Sequence, residues 1–331
     1  MKSMNHAAVL MHAVAVGTLG LAISGVVLAQ QQYPVKPLLY ISPFAPGTGP
    51  DLYTRPLMIR IGEQLGQPVV QDNRVGLGGA IAVQQVLRSA PDGYTMSLVT
   101  IANFVQRFIQ KDLGFDPLTD LAHVSQLTLG GSLLVVPADS PYKSVEDLLA
   151  AARSAPGKLN YGSGGAGTPS HMPVATLAAV AGLSVVHIPY KNSADVVPAI
   201  LRGDLQFSVQ TQNFAMPHVR SGKLRILATT TAKRFANMPE TPTLFEIMKN
   251  ELLVQETWAG ICMVAKTPMP LVRRLHAEIV RAMQDPGVQK GMDAGGSTAY
   301  SSETPEVYVS YLVKEYEKAR QLVKLSGVNA E

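Results

Sequence analysis

The chain has 331 residues, with 28 lysines and arginines against 24 aspartates and glutamates and a formal charge of +4 at pH 7. Its cations are scattered, and no basic face interleaves with aromatics, which argues against a nucleic-acid partner and leaves a weak positive field that favours small anions. Cys262 is the only cysteine, so no intrachain disulfide can form, and the dispersed His123, His187, His218 and His276 show no metal-ligand spacing.

Lys2 supplies a positive start, residues 7–29 are almost wholly apolar, and Val27-Leu28-Ala29 offers small residues before Gln30. Together these predict a secretory signal over residues 1–29, cleaved near Ala29/Gln30. An uncleaved anchor is the alternative, since the stretch is long enough to span a bilayer. His12, Thr18 and Ser24 dilute it, and no basic stop-transfer flank follows. Export without disulfides or a lipid-carrying cysteine fits a soluble bacterial periplasmic protein. The mature part is too long for one ordinary core and suits two domains.

Leu38 to Phe44 reads as a buried strand, followed by a helical pattern at Leu52, Leu57, Ile61 and Leu65 that stops before Gly66. Pro56 sits awkwardly in it: either Asp51 caps and the helix is distorted, or Thr54 caps and Pro56 falls in the first turn. Val69-Val70 is a strand, Gly76 to Gly79 turns into a helix, and Tyr94 to Thr100 is the next strand. This alternation predicts a parallel sheet with crossover helices, whose ligands bind outside the carboxyl ends of the strands. Leu133 to Val136 is a strand, and Ser144-Val145-Glu146-Asp147 has capping-box spacing. Leu159 to Tyr161, Ser184 to Ile188, Leu205 to Val209 and Leu224 to Thr230 continue the strands, with a helix from about Ser193 to Leu201. Thr267 is expected to cap a helix that begins at Pro268 and ends at Asp285-Pro286-Gly287, and Thr304-Pro305 opens the last helix. Trp258, the only tryptophan, is expected in a core on a return strand.

Two loops read alike: Ser42-Pro43-Phe44-Ala45-Pro46-Gly47-Thr48-Gly49-Pro50-Asp51 and Tyr161-Gly162-Ser163-Gly164-Gly165-Ala166-Gly167-Thr168-Pro169-Ser170-His171. Each follows a strand and precedes a helix, placing glycine N–H groups and a helix N-terminus beside small hydroxyls, which is the chemistry of an anion cradle. Two such cradles suggest two lobes gripping one anionic ligand. His171, early in its helix, can touch ligand or serve as a cap or core residue, and Asp51 reads first as a cap. Arg107 and Lys191 are candidate carboxylate partners that read equally as solvated charges.

Further matches accumulate in order. They run through Tyr33-Pro34-x-Lys36-Pro37, Pro43-Phe44-x-Pro46-Gly47-x-Gly49-x-Asp51, Asp72-Asn73-Arg74-x-Gly76-x-Gly78-Gly79 and Ala90-Pro91-Asp92-Gly93-Tyr94-Thr95. Pro156-Gly157-Lys158-Leu159-Asn160-Tyr161, Gly167-Thr168-x-Ser170-His171, Pro189-Tyr190-Lys191, Pro217-His218-Val219 and Gly222-Lys223-Leu224-Arg225 follow. Over its mature length the chain resembles the tripartite tricarboxylate transporter substrate-binding proteins, the Bug or TctC-like receptors. The resemblance implies an α/β, two-lobed type II periplasmic binding protein fold with the ligand cleft between lobes. It implies a non-enzymatic receptor without cofactor that captures a small carboxylate and hands it to one large and one small integral-membrane subunit. Carried over, Phe44, Gly47, Thr48 and Asp51 form the first-lobe site, and Ser163, Gly165, Thr168, Ser170 and His171 the second-lobe site. The expected lobes are 33–135 with 228–331, and 136–227.

Departures from the family pattern carry information. Gly47-Thr48 stands where two glycines are usual, and Pro50 donates no N–H, so the Thr48 hydroxyl is a candidate replacement donor. Gln210-Thr211 stands where many relatives have Asp-Asn, which removes a carboxylate that could hold a ligand ammonium. Two enzyme readings are the alternatives. Gly162-x-Gly164-x-x-Gly167 fits a dinucleotide fingerprint, but no acidic residue lies about 20 positions on to hold a ribose. A serine hydrolase would use Ser163 or Ser170 with His171, but the nucleophile-elbow glycine and an acidic orienter are missing.

Overall fold

A computed structural model describes residues 33–191 and 193–329; the expected signal over 1–29 lies outside them. The chain opens with strand β1 (Leu38–Ser42), helix α1 (Gly49–Leu65), β2 (Val69–Asn73), α2 (Ala80–Leu87), β3 (Thr95–Thr100) and α3 (Ile101–Ile109). β1 pairs in parallel with both β2 and β3, so the crossover arrangement expected here is present. α1 begins earlier than either expected cap, with Thr48 at its N-cap and Pro50 in its first turn. Pro56 therefore lies in the helix interior, where it cannot donate to Leu52 O.

β4 runs from Leu121 to Pro137, far longer than the expected Leu133–Val136. It is followed by α4 (Val145–Ser154), β5 (Asn160–Ser163), α5 (Met172–Ala181), β6 (Val186–Pro189) and α6 (Val196–Arg202). Next come β7 (Ser208–Thr211), α7 (Gln212–Arg220), β8 (Leu224–Thr229), α8 (Leu244–Met248) and β9 (Glu256–Val264). α9 (Met269–Ala282), α10 (Pro286–Ala294) and α11 (Pro305–Ser326) complete the chain. The Ser144–Asp147 box caps α4 reciprocally, at 3.1 Å in both directions. At the other expected cap Thr267 Oγ1 instead donates to Val264 O, and α9 starts one residue after Pro268. Asp285-Pro286-Gly287 stops α9 and also starts α10, because Asp285 Oδ1 accepts from Gly287 N at 2.8 Å.

The sheet is mixed rather than wholly parallel. Leu121–Gly131 of β4 pairs antiparallel with β9, which is itself antiparallel to β3. Ser132–Pro137 of the same strand pairs antiparallel with β7 and β8. β5 and β6 are parallel, and Tyr161 bridges β5 to Phe207 beside β7. One strand thus belongs to two lobes, each an α/β/α sandwich. In the first, Leu38, Tyr40, Leu57, Leu275 and Ile279 fill one face, and Ile41, Val83, Phe104, Tyr308 and Leu312 the other. In the second, Leu134, Leu148, Leu177, Val209, Leu244 and Leu253 fill one face, and Leu133, Val197, Ile200 and Ala215 the other. Each fully buried leucine contributes about 1.5–3 kcal/mol of transfer free energy. Trp258 packs in the first lobe against Phe104 and donates Nε1–H to Glu315 at 3.0 Å.

Two crossings join the lobes at one cross-tie. Thr230 N donates to Ser132 O and Ser132 N to Thr230 Oγ1, both at 3.0 Å, while Thr230 Oγ1 donates to Gln255 O at 2.7 Å.

Candidate ligand cleft between the glycine loops

The first loop leaves β1 and enters α1. Asp51, buried beneath it, accepts from Gly47 N at 2.9 Å, from Arg55 Nη2 at 2.9 Å and from Gln71 Nε2 at 2.6 Å. Burial pushes its pKa up, but the bonds from Gly47, Arg55 and Gln71 outweigh that and hold the carboxyl below its ordinary range. Asp51 thus braces the loop from inside, reaching back past the N-cap. Thr48 Oγ1 donates to Ala45 O at 2.7 Å, so its proton is committed within the loop. Half-buried Phe44 packs on the core beside α1, and its carbonyl accepts from Asn73 Nδ2 at 2.7 Å. The N–H groups of Gly49 and Asp51, in the first turn of α1, have no acceptor among the described residues.

The second loop leaves β5 and enters α5. Ser163, fully buried, bonds to the Gly165 backbone at both N and O, and Ser170 Oγ accepts from Gly164 N at 3.0 Å. Thr168 Oγ1 donates to Gly165 O at 2.8 Å and lies 3.1 Å from Ser170 Oγ. His171 Nδ1 accepts from Gly167 N at 3.1 Å, which fixes its proton on Nε2. Burial and the neighbouring His187 push the His171 pKa down to about 3. His171 therefore braces the loop, within a stack formed with His187 at 4.0 Å and Tyr161 beyond it.

Ser163 Oγ lies 2.6 Å from His187 Nε2, so the serine's histidine partner is His187 rather than the adjacent-in-sequence His171. His187 comes from β6, whose parallel register with β5 sets Tyr161 opposite His187 and Ser163 opposite Pro189. Gln210 is fully buried on β7, and Nε2 donates to Ser208 Oγ at 2.7 Å. Thr211 caps α7 as its N-terminal flank and donates Oγ1–H to Asn213 Oδ1 at 2.6 Å.

Contacts on both sides of the space between the loops tie the lobes, and Met172 of α5 is itself buried in the first-lobe core. Gln106 Nε2, on α3, donates to Ala166 O of the second loop at 3.0 Å. On the other side Asn213 of α7 lies against the first lobe where α1 meets the end of α10; a Cβ at Gly296 would stand 2.4 Å from Asn213 N. Beside Gln106 and the first loop runs the turn at 76–79. Gly76, Leu77, Gly78 and Gly79 all have positive φ, and Leu77 holds +49° although it is not glycine. Asn103 Nδ2 fixes this loop through Gly78 O at 3.2 Å, and Gly79 stands beside Pro43 of the first loop. Arg107 faces elsewhere, paired with Asp116 at 3.3 Å, and Lys191 is exposed.

Residues 54–328 match the family described as Tripartite tricarboxylate transporter family receptor. The chain belongs to that family. It is 32% identical over 298 residues to the UPF0065 protein in the tcbD-tcbE intergenic region of Pseudomonas sp. strain P51, covering 90% of this chain and 88% of that protein. It is 28% identical to Protein BugT of Bordetella pertussis, over 89% of this chain and 90% of that one. Among solved structures, R. palustris Rpa4515 with adipate superposes with a TM-score of 0.80 at 26% identity, over 90% of this chain and 100% of that one. The tripartite tricarboxylate receptors are two-lobed periplasmic solute-binding proteins that work with membrane transporter components, not enzymes. Neither the oxidoreductase nor the hydrolase alternative is supported, and the Ser163–His187 pair is a brace of the second loop. Among the described residues no helix is long and apolar enough to cross a membrane, and no cluster of His, Cys, Asp and Glu could hold a metal.

Proposed function

We propose that this receptor captures a small carboxylate between its two glycine loops and presents it to one large and one small integral-membrane subunit, after export and cleavage near Ala29/Gln30. The observation that carries the reading is the hydrogen bond from Gln106 on α3 of the first lobe to Ala166 O of the second loop, together with first-turn N–H groups of α1 that find no acceptor among the described residues. Rpa4515, the similar protein solved with adipate, supports a carboxylate of this size class.

On this reading Phe44, Gly47 and Thr48 present the first cradle and Ser163, Gly165, Thr168 and Ser170 the second, with Asp51 and His171 acting through the loops they brace. Gln210 and Thr211 provide a neutral floor, and a ligand ammonium would forgo a charge-assisted contact of roughly 1.5–3 kcal/mol there. Carboxylates without an amine are therefore the favoured class. The packing of Leu244 and Leu253 with Leu134 and Val209 supports a second lobe of 132–255, wider than 136–227.

A thermal-shift screen of mono-, di- and tricarboxylates against amino acids tests the assignment, because a ligand that binds only the folded state raises its melting temperature. The expected result is a concentration-dependent rise with a carboxylate that carries no amine. A rise with zwitterionic amino acids alone, or with none of the carboxylates, overturns it.

A further inference from the structure

α11 of the first lobe packs along α5 of the second, and beyond it the chain turns at Gly327, with Val328 resting on the first-lobe core. Between this tail and the second lobe lies a cavity of about 510 Å³, a size that suits a small molecule, since such sites span roughly 300–1,000 Å³. Tyr161 and His187 of the β5–β6 pair line it, as does the face of α5 that carries Ala175, Ala178 and Ala179. Residues 326–329 form the facing wall. Of the residues assigned to the cleft only His171 reaches it, so the cavity lies behind the second loop rather than between the two loops.

The His171 ring is only 4% exposed, and its Nδ1 is taken by Gly167 N–H at 3.1 Å, so what it offers the cavity is the Nε2–H. That N–H has no acceptor among the described residues, yet it is not one of the sealed side-chain atoms, and it therefore opens to the cavity. A donor so placed is matched by a ligand acceptor. At the facing wall Gly327 N–H closes α11 on Val323 O at 3.0 Å, which leaves the later carbonyls of that turn without intrahelical partners and sets the negative pole of a 22-residue helix at the cavity's edge. Among the described residues no Asp, Glu, Lys or Arg lines the cavity, so an ion would enter it unpaired. A neutral donor on one side and carbonyl acceptors on the other make the reverse of an anion cradle. We propose that this cavity is a second ligand site, taking a small uncharged molecule whose amide-type carbonyl accepts from His171 Nε2–H and whose N–H donates to the end of α11. The site stands independently of the carboxylate reading.

The test is calorimetric titration of the mature protein with three neutral amides, benzamide, caprolactam and uracil. At least one should bind saturably at millimolar concentration and move the His171 Nε2–H signal in imidazole NMR spectra. Ala178→Phe changes a partly exposed helix position outside the cleft and fills the cavity, so it should weaken that amide about ten-fold or more. His171→Phe keeps a ring but loses the donor and should weaken it about three-fold to ten-fold. If His171→Phe does not fold, Ala178→Phe and the NMR shift decide. Excess benzoate should not displace the amide, because an anion belongs at the helix N-termini of the other site. Failure of all three amides to bind, binding that Ala178→Phe leaves unchanged, or displacement by benzoate overturns the proposal. Binding seen only in a chain cut after Asn329 also overturns it, and assigns the cavity to this chain's own residues 330–331.

Discussion

The two glycine loops have similar sequences and similar places at strand ends, yet they are braced by opposite chemistry. The first is held by one buried, ionised carboxylate that gathers Gly47, Arg55 and Gln71 around Asp51. The second is held by neutral groups, the hydroxyls of Ser163, Thr168 and Ser170 and the unprotonated Nδ1 of His171. A loop shape, then, does not dictate its support. What the support dictates is the condition under which the shape fails: the first loop depends on a charge and the second on the absence of one.

The largest expected effect comes from breaking the charged brace. Asp51→Ala should cost about 2–4 kcal/mol in urea denaturation, because Gly47 N–H and Gln71 lose their buried acceptor, and half-exposed Arg55 softens the loss. Asp51→Asn should cost less, and a loss under about 0.5 kcal/mol for the alanine variant would show that the web is dispensable.

Next comes pH. His171, held neutral with a pKa of about 3 against an ordinary value near 6.5, binds fewer protons folded than unfolded. Its contribution is fully present above about 6.5 and is lost as pH falls from there towards 3, so the melting temperature should fall across that window. Buried His123, pushed down to about 4, acts in the same direction from the core. His171→Gln should flatten the curve in part, leaving the His123 share. An unchanged slope would locate the acid sensitivity away from the second loop.

Lobe contact sharpens the comparison further. Gly296→Ala places a Cβ against Asn213 N and should reduce carboxylate affinity about ten-fold in calorimetry, while the positive φ of +63° costs about 1 kcal/mol in stability. Smaller effects are expected inside the cleft. Gln210→Asp should weaken a carboxylate ligand by like-charge repulsion, Thr168→Ala should cost about 0.5–1.5 kcal/mol of binding, and Lys223→Ala should change little. Unchanged affinity in both cleft variants would move the site elsewhere.

Much of this was legible in the chain. The apolar runs of β1 and β3 and the glycine signals beside them are strong local signals, and the ordered family matches located both loops. The first half of β4 was not, because it runs through the middle of the sheet with His123, Ser125, Gln126 and Thr128 buried, which masks any alternation. Asp285-Pro286-Gly287 reads as a stop because the residues that end one helix are also those that begin another. Pro56 is tolerated inside α1 because α10 meets it at Gly291, where a Cβ would stand 2.4 Å from Leu52 O, and no local pattern announces that contact. Gln106, next to Arg107 on a helix, reads as a solvated position. Only the arrival of Ala166 from the other lobe reveals its role.

β4 has a thermodynamic consequence. Its first part is held by β9 and its last part by β7 and β8, with shifts of register at His123/Ser125, Gln126/Thr128 and Leu134/Val135. Neither lobe can melt without stripping partners from a strand the other lobe needs. Two hydrophobic cores therefore denature as one cooperative unit, and a ligand that stabilises the cleft protects the far edge of each sheet as well as the loops it touches.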